Sequence, residues 1–162
     1  DPFASHVYRH FMEHTPRKDN IWYSIVTNGL MLRDFHATVP QIISRTTKLG
    51  ISIDGATEDT YERLRLGGRW NKMLDGLDHA KSLKAEHGFE FELHMVVQND
   101  NWREMEQMLE LGHKHNVDRI YFNRIEDWST KLDMAAQTFF EDREFQDKVQ
   151  RLQADPIATM NL

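Results

Sequence analysis

Cysteine is missing from all 162 positions of the sequence, and its absence removes several kinds of chemistry. Without a thiol, the chain by itself forms no disulfide, zinc ribbon, thiolate nucleophile or cysteine-held iron–sulfur cluster. Repeats, low-complexity tracts and Gly/Ser-rich linkers are also absent, so composition indicates no internal domain boundary. Hydrophobic residues, at 40%, are enough to bury one sizeable core.

Long apolar runs and an excess of positive charge are lacking as well. The longest apolar runs, such as 21–23 and 95–97, are far too short to span a bilayer. No positively charged start leads into an apolar stretch, so no secretory signal is indicated and we expect a cytoplasmic protein. The net charge of −6 argues against nucleic acids and anionic membranes as partners.

The sequence does contain a regular alternation of two hydrophobic periods. The strand-like segments are 22–26, 48–53, 89–97 and 119–122, and the helical ones are 3–14, 40–45, 57–66, 70–86, 101–115 and 137–152. Strands that alternate with helices of about ten or more residues favour right-handed βαβ units and a parallel sheet. We therefore predict an α/β fold with about four parallel strands.

A polar segment follows each predicted strand. These segments are 27–29 (Thr-Asn-Gly), 52–55 (Ser-Ile-Asp-Gly), 98–101 (Gln-Asn-Asp-Asn) and 123–128 (Asn-Arg-Ile-Glu-Asp-Trp). Asn, Asp and Gly favour turns in any case, but ligands of parallel sheets bind at the carboxyl ends of the strands. Four such segments in register predict a shared binding mouth.

Short motifs recur in a specific order over residues 1–130. Asp1-Pro2 is followed by the 27–29 and 52–55 segments, and then by Tyr61-Glu62-Arg63-Leu64-Arg65 with Gly67-Gly68. This series resembles the radical S-adenosylmethionine superfamily, in particular its branch with a C-terminal auxiliary cluster (SPASM-like) module. In that family a Gly-Gly-Glu-Pro turn ends the second strand, and Asp1-Pro2 resembles its last half, with Asp in place of Glu.

The resemblance implies a partial (β/α)6 barrel of the TIM type, of which this chain is a fragment. Residues 1–130 are then the C-terminal two-thirds of the barrel, and 131–162 a terminal helix and tail toward a further region. The family's Cys-x-x-x-Cys-x-x-Cys loop falls before residue 1. Its three thiolates hold a 4Fe–4S cluster that binds S-adenosylmethionine and generates a 5′-deoxyadenosyl radical. The implied parent is an enzyme that modifies a peptide or serves as a maturase, whereas the fragment itself is expected to be inactive and to carry no cofactor on its own.

The resemblance also implies a set of cofactor contacts. Ser52 and Asp54 are expected to meet the ribose or the methionine portion, and Arg65 to face the methionine carboxylate. The full set of candidate residues is Asp1, Ser52, Asp54, Arg65, Gln98 and Asn123. Ordinary structure is the alternative explanation: an Asp-Gly turn for Ser52 and Asp54, and a solvated helix face for Arg65.

Three histidines on the first predicted helix stand apart from that site. His6, His10 and His14 recur every four residues, a spacing with which two rings can bind a divalent metal. We interpret them as solvent-exposed, because nothing else in the sequence marks a metal site.

Two functions of other classes stay open. One is a non-catalytic binding or assembly module on a barrel scaffold, and the other is a transferase acting on a sugar or phosphate substrate. A barrel without its first two strands also leaves an open edge at 21–27, which predicts either a dimer through that edge or a poorly soluble chain.

Overall fold

A computed structural model describes residues 1–14, 20–126 and 138–162. The strands are β1 (Tyr23–Thr27), β2 (Thr46–Ser52), β3 (Glu90–Val97), β4 (Arg119–Arg124) and β5 (Ala158–Asn161). They form one sheet in the order β1-β2-β3-β4-β5, and every neighbouring pair is parallel. The predicted α/β fold with a parallel sheet is therefore confirmed.

Helices connect successive strands. The α-helices are α1 (His6–His14), α2 (Leu32–Thr38), α3 (Pro40–Ile43), α4 (Glu58–Leu64), α5 (Trp70–His87), α6 (Met105–Lys114) and α7 (Arg143–Leu152). Two 3₁₀ turns, Trp102–Glu104 and Thr138–Glu141, precede α6 and α7. None of the described helices combines the length and the apolarity that crossing a bilayer requires.

The strand count is the first difference from the sequence prediction, because the sheet has five described strands rather than four. β5 has only four residues and lies at the edge of the sheet beside β4. Ala158 and Met160 are partly buried and alternate with Thr159 and Asn161, but a run of only four residues is a minimal signal for a strand. Asn161 nevertheless donates a side-chain hydrogen bond to Asn123 of β4, 2.9 Å long.

Two predictions concern residues outside the described part of the chain. The domain boundary at 130 and residues 127–128 of the acidic loop fall within 127–137, so they stay predictions. The predicted helix 137–152 is interrupted in its described portion, because Asp142 between the 3₁₀ turn and α7 has an extended backbone (φ −68°, ψ 134°).

The two faces of the sheet have opposite character. Alternate residues such as Leu49, Leu93 and Phe122 are fully buried under the helices and form the core. Residues between them, such as Ser52, His94 and Tyr121, project from the other face and are half-buried. The second face is therefore polar and, at these positions, only partly covered in the described structure.

Helix α1 differs from what its sequence predicts. The spacing of Phe3, Val7, Tyr8, Phe11 and Met12 places them on one face of the predicted helix 3–14. Of these, Val7, Tyr8 and Phe11 are 78%, 56% and 61% exposed, and only Met12 of the helix is buried. β1 is an edge strand, so the core offers α1 too little surface to cover a wide apolar face. The predicted dimer through the β1 edge stays a prediction.

His115, directly after α6, makes the stability of the fold depend on pH. The residue is 1% exposed, and burial lowers the pKa of its ring, although Asp78 opposes this shift from 3.2 Å. The unfolded ring returns to a pKa near 6.5, so below that pH the unfolded chain binds the proton more readily. The protonation of His115 therefore does not affect the stability of the fold well above pH 6.5. As the pH falls from 6.5 toward the lower pKa of the folded ring, the unfolded chain takes up the proton first, and the free energy of unfolding decreases.

We expect the free energy of unfolding to decrease from about pH 7 to about pH 5.5, and to decrease less in His115→Gln. Urea unfolding at the two pH values measures this difference. The exposed His6→Gln is the matched control and keeps the wild-type pH dependence. Equal pH dependence in all three proteins would contradict the assignment to His115.

Candidate functional site

The first residue of the chain is fixed to the carboxyl end of β1. The Asp1 carboxylate accepts hydrogen bonds through Oδ2 from the Thr27 hydroxyl (2.7 Å) and the Asn28 amide (2.6 Å). Its Oδ1 accepts one from the Phe3 amide (2.8 Å). Asp1 therefore shapes the turn after β1 through its side chain.

The carboxylate of Asp54, after β2, joins two other elements. Its Oδ1 accepts a hydrogen bond from the Val96 amide of β3 (2.9 Å), and its Oδ2 lies 2.7 Å from Nε of Arg65. The side chains of Asp54 and Arg65 are only 14% and 26% exposed, so this ion pair is shielded from water. Asp54 thus holds the guanidinium of Arg65 over the end of the sheet.

Tyr61 of α4 lies beneath this ion pair. Its ring is fully buried, and its hydroxyl is enclosed without a hydrogen-bond partner in the described structure. Burial raises the pKa of this phenol, so Tyr61 remains a neutral donor at physiological pH. An enclosed, unpartnered hydroxyl is a ready hydrogen-bonding group for a ligand in the adjoining cavity.

Two cavities open at this end of the sheet. The smaller, about 250 Å³, is lined by Asp1, Val26, Thr27, Asn28, Ser52 and Arg65. The larger, about 610 Å³, is lined by Asn28, Leu30, Asp54, Tyr61, Leu64, Arg65, Leu66, Gly67 and Gly68. Because Asn28 and Arg65 line both, the two cavities form adjoining parts of one candidate site.

The structure brings together four of the six residues named from the sequence: Asp1, Ser52, Asp54 and Arg65. The other two, Gln98 and Asn123, line neither cavity. The Asn123 side-chain oxygen accepts the hydrogen bond from Asn161 already described, and the main chain of Gln98 is bonded to Asn101. Contact of any of the six with a cofactor stays a prediction.

Two residues beyond β3 hold the site in place, and sequence reasoning did not find these roles. Asn101 is 1% exposed; its Oδ1 accepts from the Gln98 amide, and its Nδ2 donates to the carbonyls of Asp54 and Val96, all at 2.8 Å. As the first residue of the predicted helix 101–115, Asn101 is a candidate helix cap from sequence, but its side chain makes no capping bond to the 3₁₀ turn that follows. It joins the ends of β2 and β3 instead.

Glu104 performs a similar task for α4. Its carboxylate accepts hydrogen bonds from the amides of Ala56 (2.8 Å) and Thr57 (3.2 Å), and from the hydroxyls of Thr57 and Thr60. A carboxylate at the start of a helix satisfies free amides and complements the helix dipole. Glu104 therefore fixes the helix whose other end carries Arg65.

The polar face of the sheet carries a second group that sequence reasoning missed. Glu92 is 6% exposed, and its carboxylate lies 2.9 Å from Lys48 Nζ and 3.4 Å from His94 Nε2. Hydrogen bonds to Glu92 and Glu90 raise the pKa of Lys48, which keeps the ammonium charged. The alternation of Glu90, Glu92 and His94 with apolar residues in β3 was the available signal.

Gly50 makes room for the His94 ring. A Cβ at Gly50 would lie 2.7 Å from His94 Nε2, so the ring rests directly against the backbone of β2. Tyr121 lies beside the ring on β4, with the ring centroids 5.1 Å apart. Ser52, His94 and Tyr121 are register partners on neighbouring strands, so the polar surface continues from Ser52 across β3 and β4.

Comparison with known proteins identifies a shared fold. The sequence matches no protein-family profile and no curated protein. Solved structures of Streptococcus suis SuiB superpose with a TM-score of 0.65 at 12% identity, over 99% of this chain and 36% of SuiB. The structure of SuiB bound to its precursor peptide SuiA superposes with a TM-score of 0.65 at 11% identity, over 99% of this chain and 36% of SuiB.

SuiB bound to S-adenosylmethionine gives a TM-score of 0.64 at 12% identity, over 99% of this chain and 35% of SuiB. At such low identity the similarity concerns the fold alone. The chain spans about a third of the length of SuiB, and over almost all of its own length it has the fold of that part.

Proposed function

We propose that this chain is part of a radical S-adenosylmethionine enzyme and supplies the protein side of its S-adenosylmethionine site. The observation that carries the proposal is the convergence of Asp1, Ser52, Asp54 and Arg65 around the two adjoining cavities. The motif order in the sequence and the fold shared with SuiB, which was solved with S-adenosylmethionine, support it.

The residues at the cavities fit the polar groups of this cofactor. Arg65 has five N–H donors in a fixed planar fork, and Asp54 occupies only the Nε side of it, so donors remain for a carboxylate. The hydroxyls of Ser52 and Tyr61 are suited to the ribose hydroxyls and other acceptors of the cofactor. The chain's own residues thus bind and orient the cofactor.

The same residues do not fit an iron–sulfur cluster. Such clusters are held by cysteine thiolates, and the sequence has no cysteine. We therefore assign no redox step to residues of this chain and place the cluster ligands of the proposed enzyme elsewhere in the longer protein.

A peptide is the proposed substrate of the whole enzyme. SuiB was solved with its precursor peptide SuiA, and this chain shares the fold of about a third of SuiB. The polar sheet face with Glu92, His94 and Tyr121 adjoins the proposed cofactor site and offers donors and acceptors to a peptide backbone. A dimer through the β1 edge belongs to the same proposal.

Isothermal titration of the chain with S-adenosylmethionine tests the cofactor site. We expect Arg65→Gln to weaken binding by about 10- to 100-fold, since a charge-assisted hydrogen bond contributes about 1.5–3 kcal/mol. Ser52→Ala is expected to weaken it about 3- to 10-fold, because it removes a neutral hydrogen bond. Thermal melting of each variant shows whether the fold is kept.

Arg63→Gln is the matched control, because Arg63 lies two residues away, is 55% exposed and lines neither cavity. It should bind like the wild type. Equal losses in Arg63→Gln and Arg65→Gln would refute the assigned role of Arg65. Binding of a nucleotide sugar such as UDP-glucose in place of S-adenosylmethionine would favour the transferase alternative.

A further inference from the structure

The last turns of α1 carry three potential metal ligands, His10, Glu13 and His14, that take no part in the site at the strand ends. One ligand atom from each lies within 4.8 Å of the other two. Within residues 1–14, 20–126 and 138–162, no other group of three such side chains comes this close. All three are exposed, so an ion can reach them without opening the core.

Helix geometry explains the convergence. Residues separated by three and four positions lie on the same side of a helix, so Glu13 and His14 both project beside His10. The rings of His10 and His14 have their centroids 4.1 Å apart. Glu13 adds a carboxylate oxygen to the two imidazole rings, so the end of the helix offers three potential ligand atoms. The spacing of the histidines alone did not reveal this third ligand.

A hydrogen bond to the backbone prepares His14 for metal binding. Its Nδ1 lies 2.8 Å from the carbonyl oxygen of His10. A carbonyl only accepts, so Nδ1 carries the hydrogen in this bond, and Nε2 of the neutral ring keeps its lone pair. Histidines that bind metals commonly donate their second ring N–H to a carbonyl or carboxylate, which fixes the tautomer and the ring orientation.

We propose that the end of α1 binds one divalent transition-metal ion through His10, Glu13 and His14. Two imidazole nitrogens and one carboxylate oxygen suit Zn²⁺, Ni²⁺ or Cu²⁺, whereas Mg²⁺ and Ca²⁺ prefer oxygen ligands. Three protein ligands leave the fourth position of a tetrahedral ion open to water or to a group from another molecule.

Metal binding also has a structural consequence for α1. Met12 is the only buried residue of this nine-residue helix, so packing contributes little to its stability. An ion that joins His10 to His14 bridges one helical turn and favours the helical state. We therefore expect Zn²⁺ to raise the helical circular-dichroism signal of the chain.

Titration of the untagged, chelator-treated chain with ZnCl₂ by calorimetry tests the site. We expect one ion per chain, with affinity falling at least ten-fold in His10→Ala and in His14→Ala and about three- to ten-fold in Glu13→Gln. Millimolar Mg²⁺ should not compete. Co²⁺ in place of Zn²⁺ should give the intense visible bands of a four-coordinate ion in the wild type and lose them in His14→Ala.

His6→Ala is the matched control, an exposed histidine on the same helix and one turn before His10. It should bind Zn²⁺ like the wild type. If it weakens binding as much as His14→Ala, the ion uses the pair His6 and His10, and the three-ligand site is wrong. Wild-type affinity in His10→Ala and His14→Ala also overturns the proposal, and neither result bears on S-adenosylmethionine binding.

Discussion

Replacing Asn101 by alanine is expected to lower the free energy of unfolding by about 3–5 kcal/mol. The substitution removes the three 2.8 Å hydrogen bonds of a side chain that is 1% exposed. The Gln98 amide and the carbonyls of Asp54 and Val96 then lose a partner in a place that water reaches poorly. Each buried polar group left unpaired costs about 1–3 kcal/mol, and the three are neighbours, so their effects do not simply add.

The isosteric Asn101→Asp separates hydrogen bonding from shape. It keeps the oxygen that accepts from the Gln98 amide but places a second carboxylate oxygen against the carbonyls of Asp54 and Val96. Repulsion between these acceptors makes this variant at least as unstable as Asn101→Ala. Urea unfolding followed by circular dichroism measures both losses.

Gln107→Ala is the control for Asn101, because Gln107 is an exposed residue of α6. Its effect should stay within about 0.5 kcal/mol, as for most surface substitutions. A loss below about 1 kcal/mol in Asn101→Ala would show that the ends of β2 and β3 hold together without this side chain.

The central strands were predictable because their patterns are strong. β2 and β3, predicted at 48–53 and 89–97, lie at Thr46–Ser52 and Glu90–Val97. Apolar residues alternate over most of β3, and a buried face imposes that period on the sequence. The polar segments that follow these strands were found for the same reason, since they begin where the apolar pattern stops.

What the sequence did not reveal depends on contacts between distant segments. Asn101 reaches Asp54 across 47 positions and Glu104 reaches Thr57 across 47, and neither has a local signature. β5 is too short for a period, and α1 has an apolar face that the core does not cover. Local patterns identify elements, whereas these features appear only when the elements are packed.

Replacing Gly76 by alanine is expected to lower the free energy of unfolding by about 2–3 kcal/mol, although alanine is the better helix former. Gly76 lies in the interior of α5, where it meets the turn after β1. A Cβ there would lie 2.6 Å from the carbonyl oxygen of Gly29 and 3.2 Å from its carbonyl carbon. Because these are backbone atoms, no side-chain rotation relieves the overlap.

The turn itself has little room to withdraw. Gly29 has a left-handed backbone (φ 78°), and a Cβ on it would already lie 3.1 Å from Ile51 of β2. Pushing Gly29 away from α5 therefore displaces the turn that carries Asn28, a residue that lines both cavities of the candidate site. We expect Gly76→Ala to weaken S-adenosylmethionine binding in addition to destabilising the fold.

Asn71→Ala in the first turn of α5 is the control for helix propensity, because Asn71 is exposed. It should be neutral or stabilise the chain by about 0.5 kcal/mol. Urea unfolding compares the two variants with the wild type. If Gly76→Ala instead stabilises the chain by about 1 kcal/mol, as helix propensity alone predicts, then α5 does not press on the β1 turn. If Gly76→Ala is destabilised while Asn71→Ala is unchanged, then α5 can approach the turn after β1 only because position 76 has no side chain. The position of Asn28, and therefore the shape of the candidate site, would then depend on Gly76.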